Sequence, residues 1–318
     1  MRLIRFSGYL LYTLAVLCFL LWYKFPSDAV LTRAEKDLNR MTPSLQWDIG
    51  RISLLPPQDI LLRNIRISSK SSKEKNELLF TIPWATLRPN LLHRQKTGEL
   101  AATYRVRAAG GKISGRLALN KERSVLSYSG NVEQIRLDDK NIQKLLAEYD
   151  RTVSGSLSGS FTGKEQLADR THTVRARLSL DQGSISMQEP VLGLEQLDFD
   201  QLTGDLQYAG GTLAVEQGEM KSRSLAAEFT LEIRTAPSLS PFSRISLKGT
   251  LMPEPGFIAS FGGTGIVGML RKYLQQNKLP FTISGPLKHP GIVFTKLPPG
   301  LNQQLQELQQ VQQGGEQP

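Results

Sequence analysis

From residue 45 onward, apolar side chains recur at every second position in a long series of short runs. Leu45, Trp47 and Ile49 form the first of these runs. Successive side chains of a β-strand point to opposite faces of its sheet, so this period indicates strands with one buried face. Glycines and prolines, 27 and 17 in number, fall between the runs and are typical of turns. The alternation therefore predicts a mainly β domain built as a meander of antiparallel strands.

The same period continues almost to the end of the chain. A one-residue phase shift at Arg63 and Asn64 predicts a β-bulge, and Gly210 with Gly211 predicts a hairpin turn. The further runs that predict strands are residues 52–54, 60–62, 65–67, 78–84, 104–106, 113–119, 125–128, 153–161, 172–180, 184–187, 202–208, 212–215, 225–233, 245–251 and, as two strands around Gly285 and Pro286, 279–294.

An antiparallel sheet with one apolar face must have that face covered or folded over. The pattern predicts an elongated, curved antiparallel sheet, whose apolar inside would be a channel for acyl chains. The candidate residues for this apolar groove or core are Ile52, Leu54, Ile65, Ile67, Ile113, Leu117 and Leu119.

The N-terminus carries an uncharged stretch of 18 residues from Phe6 to Tyr23, which Lys24 ends. As a helix it would be about 27 Å long, close to the thickness of a bilayer's hydrocarbon core. A cleaved signal peptide requires small residues after the apolar run, whereas bulky residues stand there. We expect a retained transmembrane helix rather than a cleaved signal or a buried core helix. The predicted anchor residues are Leu10, Leu11, Leu14, Val16, Leu17, Phe19, Leu20, Leu21 and Trp22.

Arg2 and Arg5 favour a cytoplasmic N-terminus, which would put the rest of the chain in the periplasm of a Gram-negative bacterium. A helix is predicted from Ser27 or Asp28 to Met41, packed on its own domain or lying on the membrane surface. Two more helices are predicted at residues 138–149 and 266–274. The predicted division is an anchor at 1–24, an amphipathic helix and linker at 25–44, a periplasmic β-rich domain at 45–297, and a flexible Gln-rich tail at 298–318.

The formal net charge is +10, which favours anionic partners. Basic residues such as Arg105, Arg107, Lys112 and Arg116 alternate with apolar or small ones, so we expect them on solvated strand faces. No helix-turn-helix, zinc-finger or RNA-binding motif accompanies them, so nucleic acid is not an expected partner.

Side chains suited to catalysis or metal binding are few and scattered. The single cysteine, Cys18, excludes a disulfide within the chain, and His93, His172 and His289 lack the spacing of a metal site. Asp198 and Asp200 would share a solvated strand face. A serine ladder on one strand has no activating base nearby; its members are Ser154, Ser156, Ser158 and Ser160. We therefore expect no catalytic, metal-binding or cofactor-binding residues, and no enzymatic activity.

Three segments together resemble a known family. They are the apolar N-terminus running into Phe25 and Pro26, the sequence DIGRISLLPP followed by ILLRNIRI, and the closing sequence PFTISGPLKHPGI. In their order they are similar to the type II secretion system protein N family in its long form, which is grouped with AsmA-like and TamB-like envelope proteins. The resemblance covers residues 1 to about 295 and leaves out the Gln-rich tail.

The resemblance implies an AsmA-like curved sheet and a non-enzymatic accessory component of type II secretion. Such a protein would be anchored in the bacterial inner membrane and would have secretion-system proteins as partners. The alternative that the resemblance leaves open is a lipid-binding or phospholipid-transfer protein of the cell envelope. A continuous apolar groove on the inward strand faces would favour the second interpretation.

Overall fold

The computed structural model describes residues 26–41, 45–55, 59–69, 77–90, 95, 97–147, 152–169, 171–191, 194–223, 225–235, 243–254, 278–287 and 290–295. The helices are α1 (Ser27–Met41) and α2 (Lys140–Ala147). The strands are β1 (Leu45–Leu55), β2 (Asp59–Ser69), β3 (Glu77–Pro89), β4 (Leu100–Ala108), β5 (Gly111–Leu119), β6 (Val125–Arg136), β7 (Val153–Gln166), β8 (Thr171–Val191), β9 (Leu194–Ala209), β10 (Thr212–Lys221), β11 (Leu225–Arg234), β12 (Arg244–Pro253), β13 (Leu279–Pro286) and β14 (Gly291–Phe294).

The protein is mainly β, and its described residues form fourteen strands whose order in the antiparallel sheet is their order in the chain. This confirms the predicted meander. The chain divides into two compact units, residues 1–108 and residues 109–318. Of the helices in the described residues, none is long and apolar enough to cross a membrane. The predicted anchor, the predicted helix at 266–274 and the Gln-rich tail lie outside the described residues.

The first unit contains α1 and strands β1 to β4. Helix α1 follows the predicted bounds, with Asp28 in its first turn and Arg40 in its last, as the helix dipole favours. Its apolar stripe of Leu31, Ala34 and Leu38 packs on a buried cluster of the sheet. The buried members of that cluster are Ile49, Ile65 and Ala85. Helix α1 therefore packs on its own domain, which is the first of the two placements expected from the sequence.

The phase shift at Arg63 and Asn64 is not a bulge, and that prediction is wrong. The register of β2 with β1 and with β3 runs through both residues without a shift. Asn64 has a φ of 53°, a left-handed conformation that asparagine tolerates, and Gly50 lies opposite it on β1. Leu62 and Ile65, on either side of Asn64, consequently pack in the same apolar cluster. We call such a position a phase column. The alternation of buried and exposed side chains shifts by one residue there, while the pairing with the neighbouring strands does not shift.

Helix α1 also supplies hydrogen bonds to the backbone of β1, the first strand in the sheet order. The Ile49 N–H donates to Glu35 Oε1 at 2.7 Å, and the Trp47 N–H donates to Asn39 Oδ1 at 2.9 Å. The Asn39 amide also donates to the Trp47 carbonyl at 3.4 Å. An edge strand with unpaired groups invites pairing with other chains. The helix therefore satisfies part of an edge that would otherwise favour aggregation.

Replacing Glu35 with alanine is expected to lower the free energy of unfolding by about 2 kcal/mol, since hydrogen bonds to charged acceptors contribute roughly 1.5–3 kcal/mol. Urea unfolding of the full chain in mild detergent measures the effect. Glu35→Gln keeps an acceptor and should recover part of the loss. The matched control is Lys36→Ala, an exposed neighbour on the same helix, which should change stability by less than about 0.5 kcal/mol. Equal midpoints for E35A and K36A would contradict the edge-covering role.

The second unit contains strands β5 to β14 and the short helix α2. The predicted helix at residues 138–149 is confirmed over Lys140–Ala147, with Asp139 accepting a hydrogen bond from the Asn141 N–H at 2.9 Å. The Gln143 amide donates to the carbonyls of Leu137 and Val153, both at 2.6 Å. This amide joins the segment after β6 to the start of β7.

Residues 172–180 and 184–187 were predicted as two strands, but they belong to the single strand β8. Gln182 lies between the two runs with a φ of 48° and stays within the sheet. The register of β8 with β9 continues past it without a shift, from the Asp181–Gln201 pair to the Gly183–Phe199 pair. The register of β8 with β7 does shift at this point, between Ser154 and Ser156, so Gln182 lies at a bulge of that ladder and is not a phase column. The polar residues around it do not end the strand.

Candidate functional site

One face of the sheet in the second unit is built from apolar side chains in cross-strand register. We call it the apolar face. Its central row runs across β7 to β14, each residue pairing directly with the next. The members of this row are Phe161, Ala176, Leu206, Val215, Leu231, Leu247, Ile283 and Ile292. Eight adjacent strands therefore present apolar residues at the same level without a polar interruption.

Two parallel rows flank the central one and include glycines and aromatic residues. The first runs from β5 to β14 through Ile113, Val132, Gly159, Leu178, Gly204, Gly218, Phe229, Gly249, Phe281 and Phe294. The second runs from β5 to β13 through Leu117, Tyr128, Gly163, Val174, Tyr208, Leu213, Ile233, Ile245 and Gly285.

Several aromatic rings on this face lie over a glycine of the neighbouring strand. A Cβ built on Gly218 would overlap the ring of Phe229, and one built on Gly163 would overlap the ring of Tyr128. The ring of Phe281 covers Gly249 in the same way. Glycine in a strand often marks a close approach of this kind. The rings therefore lie flat along the sheet instead of projecting from it.

The exposure of these residues differs across the face. A further row along one side is buried, with Leu180 at 6%, Met220 at 6% and Leu279 at 0% exposed. Phe199 packs in the same cluster as the first two. The side chains of the central row are mostly half-buried, among them Leu206 and Leu231. The apolar face thus has a closed side and a central strip that solvent still reaches.

The apolar face itself carries polar groups along the side that lies away from the buried row. The His172 ring stacks on Tyr208 with centroids 4.9 Å apart and planes 12° from parallel. Glu165 pairs with His172 across the β7–β8 ladder. Burial, and secondarily the charge of Glu165, raises the pKa of Tyr128 above its ordinary value. On β7 to β9 this side of the face is therefore polar, whereas on β11 it is apolar and Ile233 is buried.

The other face of the same strands is hydrophilic. Arg177 donates two hydrogen bonds to Asp205, at 2.6 and 2.9 Å, and the guanidinium lowers the pKa of that carboxyl. Ser154 and Ser184 share a hydrogen bond of 2.8 Å between their hydroxyls. Surface ion pairs of this sort contribute little to stability. The polar residues instead keep one face of the sheet in water, as the sequence pattern predicted.

The candidate groove residues fall in both units. Ile113 and Leu117 lie on the apolar face, and Leu119 belongs to the same strand. In the first unit Ile52 and Ile65 are buried at 4% exposure each. Ile67 packs on the cluster beneath α1, and Leu54 pairs with Ile60. The central row was missed, because only the strand register shows that its widely separated members are neighbours.

Side chains suited to catalysis or metal binding do not converge in the described part of the chain. Asp198 and Asp200 are both exposed on β9, and buried Phe199 lies between them. No group of His, Cys, Asp and Glu able to hold a metal occurs among the described residues. His93, His289 and Cys18 lie outside those residues.

The chain matches no family model, no curated protein and no solved structure.

Proposed function

We propose that the second unit binds the acyl chains of phospholipid on its apolar face, and that the chain is an envelope lipid-binding or lipid-transfer protein. The observation that carries this proposal is the unbroken central row, whose side chains are apolar on eight successive strands and mostly half-buried. An apolar sheet face of this size requires a cover. A hydrocarbon chain supplies one without needing polar partners.

The physical properties of the face suit a linear apolar ligand. Strands lie about 4.8 Å apart, so eight strands provide a strip roughly 34 Å long from first to last. Each methylene that leaves water on such a surface contributes up to about 0.8 kcal/mol. Because the rings of Phe229 and Phe281 lie flat over glycines, they add apolar area without obstructing the strip. His172 and Tyr208 lie on β8 and β9, near one end of the strip, where they would meet the polar end of such a ligand.

The accessory role in type II secretion stays a proposal based on the resemblance, as do the inner-membrane anchor and the periplasmic location. No contact among the described residues favours a secretion partner over a lipid. The two roles differ in one measurable property, because a purely protein-binding scaffold does not require lipid on the apolar face. Lipid binding therefore distinguishes them.

The test compares two double variants that differ by one position along the same two strands. Leu231→Asp with Leu247→Asp places two carboxylates on the apolar face, and Thr230→Asp with Ser246→Asp places them on the polar face. The full chain is purified from membranes in mild detergent and examined by native mass spectrometry with lipid extraction. We expect phospholipid on the native chain and on T230D/S246D, and at least a tenfold loss on L231D/L247D.

Circular dichroism of both variants controls for unfolding. Lipid-free native protein would overturn the proposal and leave the secretion-accessory role ahead. Equal retention of lipid by both folded variants would overturn the placement of the ligand on the apolar face.

A further inference from the structure

A group of arginines gathers on one face of the first unit, away from the cluster beneath α1. Arg51, Arg63, Trp84 and Arg107 are direct cross-strand neighbours on β1 to β4. Arg105 lies two residues before Arg107 on the same face of β4. We call these four arginines and Trp84 the arginine patch. All four arginines are exposed, and the guanidinium of Arg107 lies 5.3 Å from the centre of the Trp84 ring.

The arginine patch is only weakly neutralised by the described residues, because Arg105 acts on Asp59 by its charge while Arg88 forms the ion pair with that carboxylate. The neighbouring Asp59 is taken by Arg88, which donates to it at 2.5 and 2.7 Å and lowers its pKa. Asp48 lies near Arg66, at 3.9 Å. None of the four patch arginines forms an ion pair with a described carboxylate. Like charges directly opposite each other, as Arg51 and Arg63 are, destabilise a sheet. A bound anion would offset this repulsion.

The position of the patch in the chain indicates which anion it meets. The predicted anchor ends at Lys24, and α1 begins at Ser27. Asn39 bonds to Trp47 and Glu35 to Ile49, so α1 runs antiparallel to β1 and its start lies toward Arg51. A helix rises 1.5 Å per residue, which keeps this end of β1 within a short distance of the predicted membrane anchor.

Two apolar side chains on the same face fit a membrane surface. Leu55, which follows Arg51 on that face of β1, is 43% exposed. Trp84 is half-buried in the middle of the patch, and tryptophan prefers the membrane–water interface. Arginine binds phosphate through two parallel hydrogen bonds, which a planar guanidinium presents without rearrangement.

We propose that the arginine patch binds the phosphate groups of anionic phospholipid headgroups and holds the first unit against the membrane surface. This inference rests on the predicted anchor but is independent of acyl-chain binding by the second unit. Each arginine near an anionic bilayer strengthens association by roughly fivefold. The patch would therefore hold the domain firmly on a bilayer that contains acidic lipid and weakly on a neutral one.

The experiment uses the full chain in nanodiscs of phosphatidylcholine, with or without a minority of phosphatidylglycerol. Cys18→Ser removes the native thiol, and Thr103→Cys, an exposed position on the patch face of β4, carries a fluorophore whose intensity rises at the lipid headgroups. Phosphatidylglycerol should raise its fluorescence on the native patch. Changing Arg51, Arg63, Arg105 and Arg107 together to glutamine should reduce the response at least tenfold. Four exposed basic residues of the second unit, changed likewise to glutamine, give a control of equal charge: Lys121, Arg123, Lys221 and Lys248.

The response should persist in this control and in excess inorganic phosphate at constant ionic strength. Competition by inorganic phosphate would overturn the membrane assignment and indicate a soluble phosphate ligand. If phosphatidylglycerol did not change the fluorescence on the native patch, the proposal would be overturned and an acidic protein partner would be favoured. If the patch and control variants lost the fluorescence response equally, the response would depend on net charge alone, and the proposal would be overturned as well. The patch variant leaves the apolar face of the second unit unchanged, so it should still co-purify with phospholipid. Counting this lipid therefore distinguishes failure of the patch proposal from failure of the proposed lipid-binding function.

Discussion

Replacing Phe199 with alanine is expected to lower the free energy of unfolding of the second unit by about 4 kcal/mol. Phe199 is 3% exposed and packs with Leu180, Met220 and Leu225 in the buried cluster. Truncating a buried phenylalanine costs roughly 3–5 kcal/mol, because apolar contacts are lost and a cavity remains. The loss approaches the whole stability of a typical domain, so the variant should be partly unfolded at ordinary temperatures. Urea unfolding followed by circular dichroism measures it.

Phe161→Ala is the matched control, since it removes the same side chain from the central row of the apolar face. Phe161 is half-buried, so its truncation should cost about half as much stability. It should nevertheless reduce co-purified phospholipid, which Phe199→Ala should leave unchanged in the fraction that stays folded. Equal destabilisation by the two changes would contradict the distinction between the buried row and the central row.

Replacing Gly218 with valine is expected to have the second large effect. Gly218 is buried, and any Cβ there would overlap the ring of Phe229 on the adjacent strand. Overpacking of this kind typically costs about 1–3 kcal/mol, because a side chain or strand must move. The ring should be driven out of the plane of the sheet and across the central strip. We expect a loss of about 3 kcal/mol in urea unfolding and little or no bound phospholipid.

The double variant Gly218→Val with Phe229→Ala tests whether the ring is the cause. Removing the ring gives the valine space, so the double variant should be more stable than the sum of the single changes predicts. A coupling energy of at least about 1 kcal/mol is expected for residues in direct contact. Strictly additive effects would show that the two positions do not share this contact.

Much of the fold could be predicted from the sequence because its signals are local. Alternation revealed the strands, and the stripe of Leu31, Ala34 and Leu38 with acidic Asp28 near its start predicted α1 closely. The prediction failed where alternation changed phase. Asn64 and Gln182 adopt left-handed conformations inside strands, which a sequence pattern does not distinguish from a bulge or a break.

The candidate sites were less predictable because they depend on register. Leu117 on the apolar face was identified from its own strand. Leu206 and Leu231 are recognised as part of the apolar face only through their pairing with residues of other strands. The arginine patch is a stronger example. Arg105 and Arg107 were interpreted as part of a solvated face, and only cross-strand pairing brings Arg51 and Arg107 to either end of one row. Side-chain period reports the face of a strand but not its partners.

The phase column at Asn64 has a consequence for how this sequence can change over time. If Asn64 alone were deleted, the side chains of one half of β2 would point to the other face of the sheet. Either Leu62 or Ile65 would then leave the apolar cluster. The same deletion would be tolerable only if β1 and β3 lost their counterparts at Gly50 and Pro83 together. Mutations at these positions should therefore show strong epistasis. Evolution would retain or discard the column as a unit, while single-residue insertions and deletions accumulate in the connecting turns.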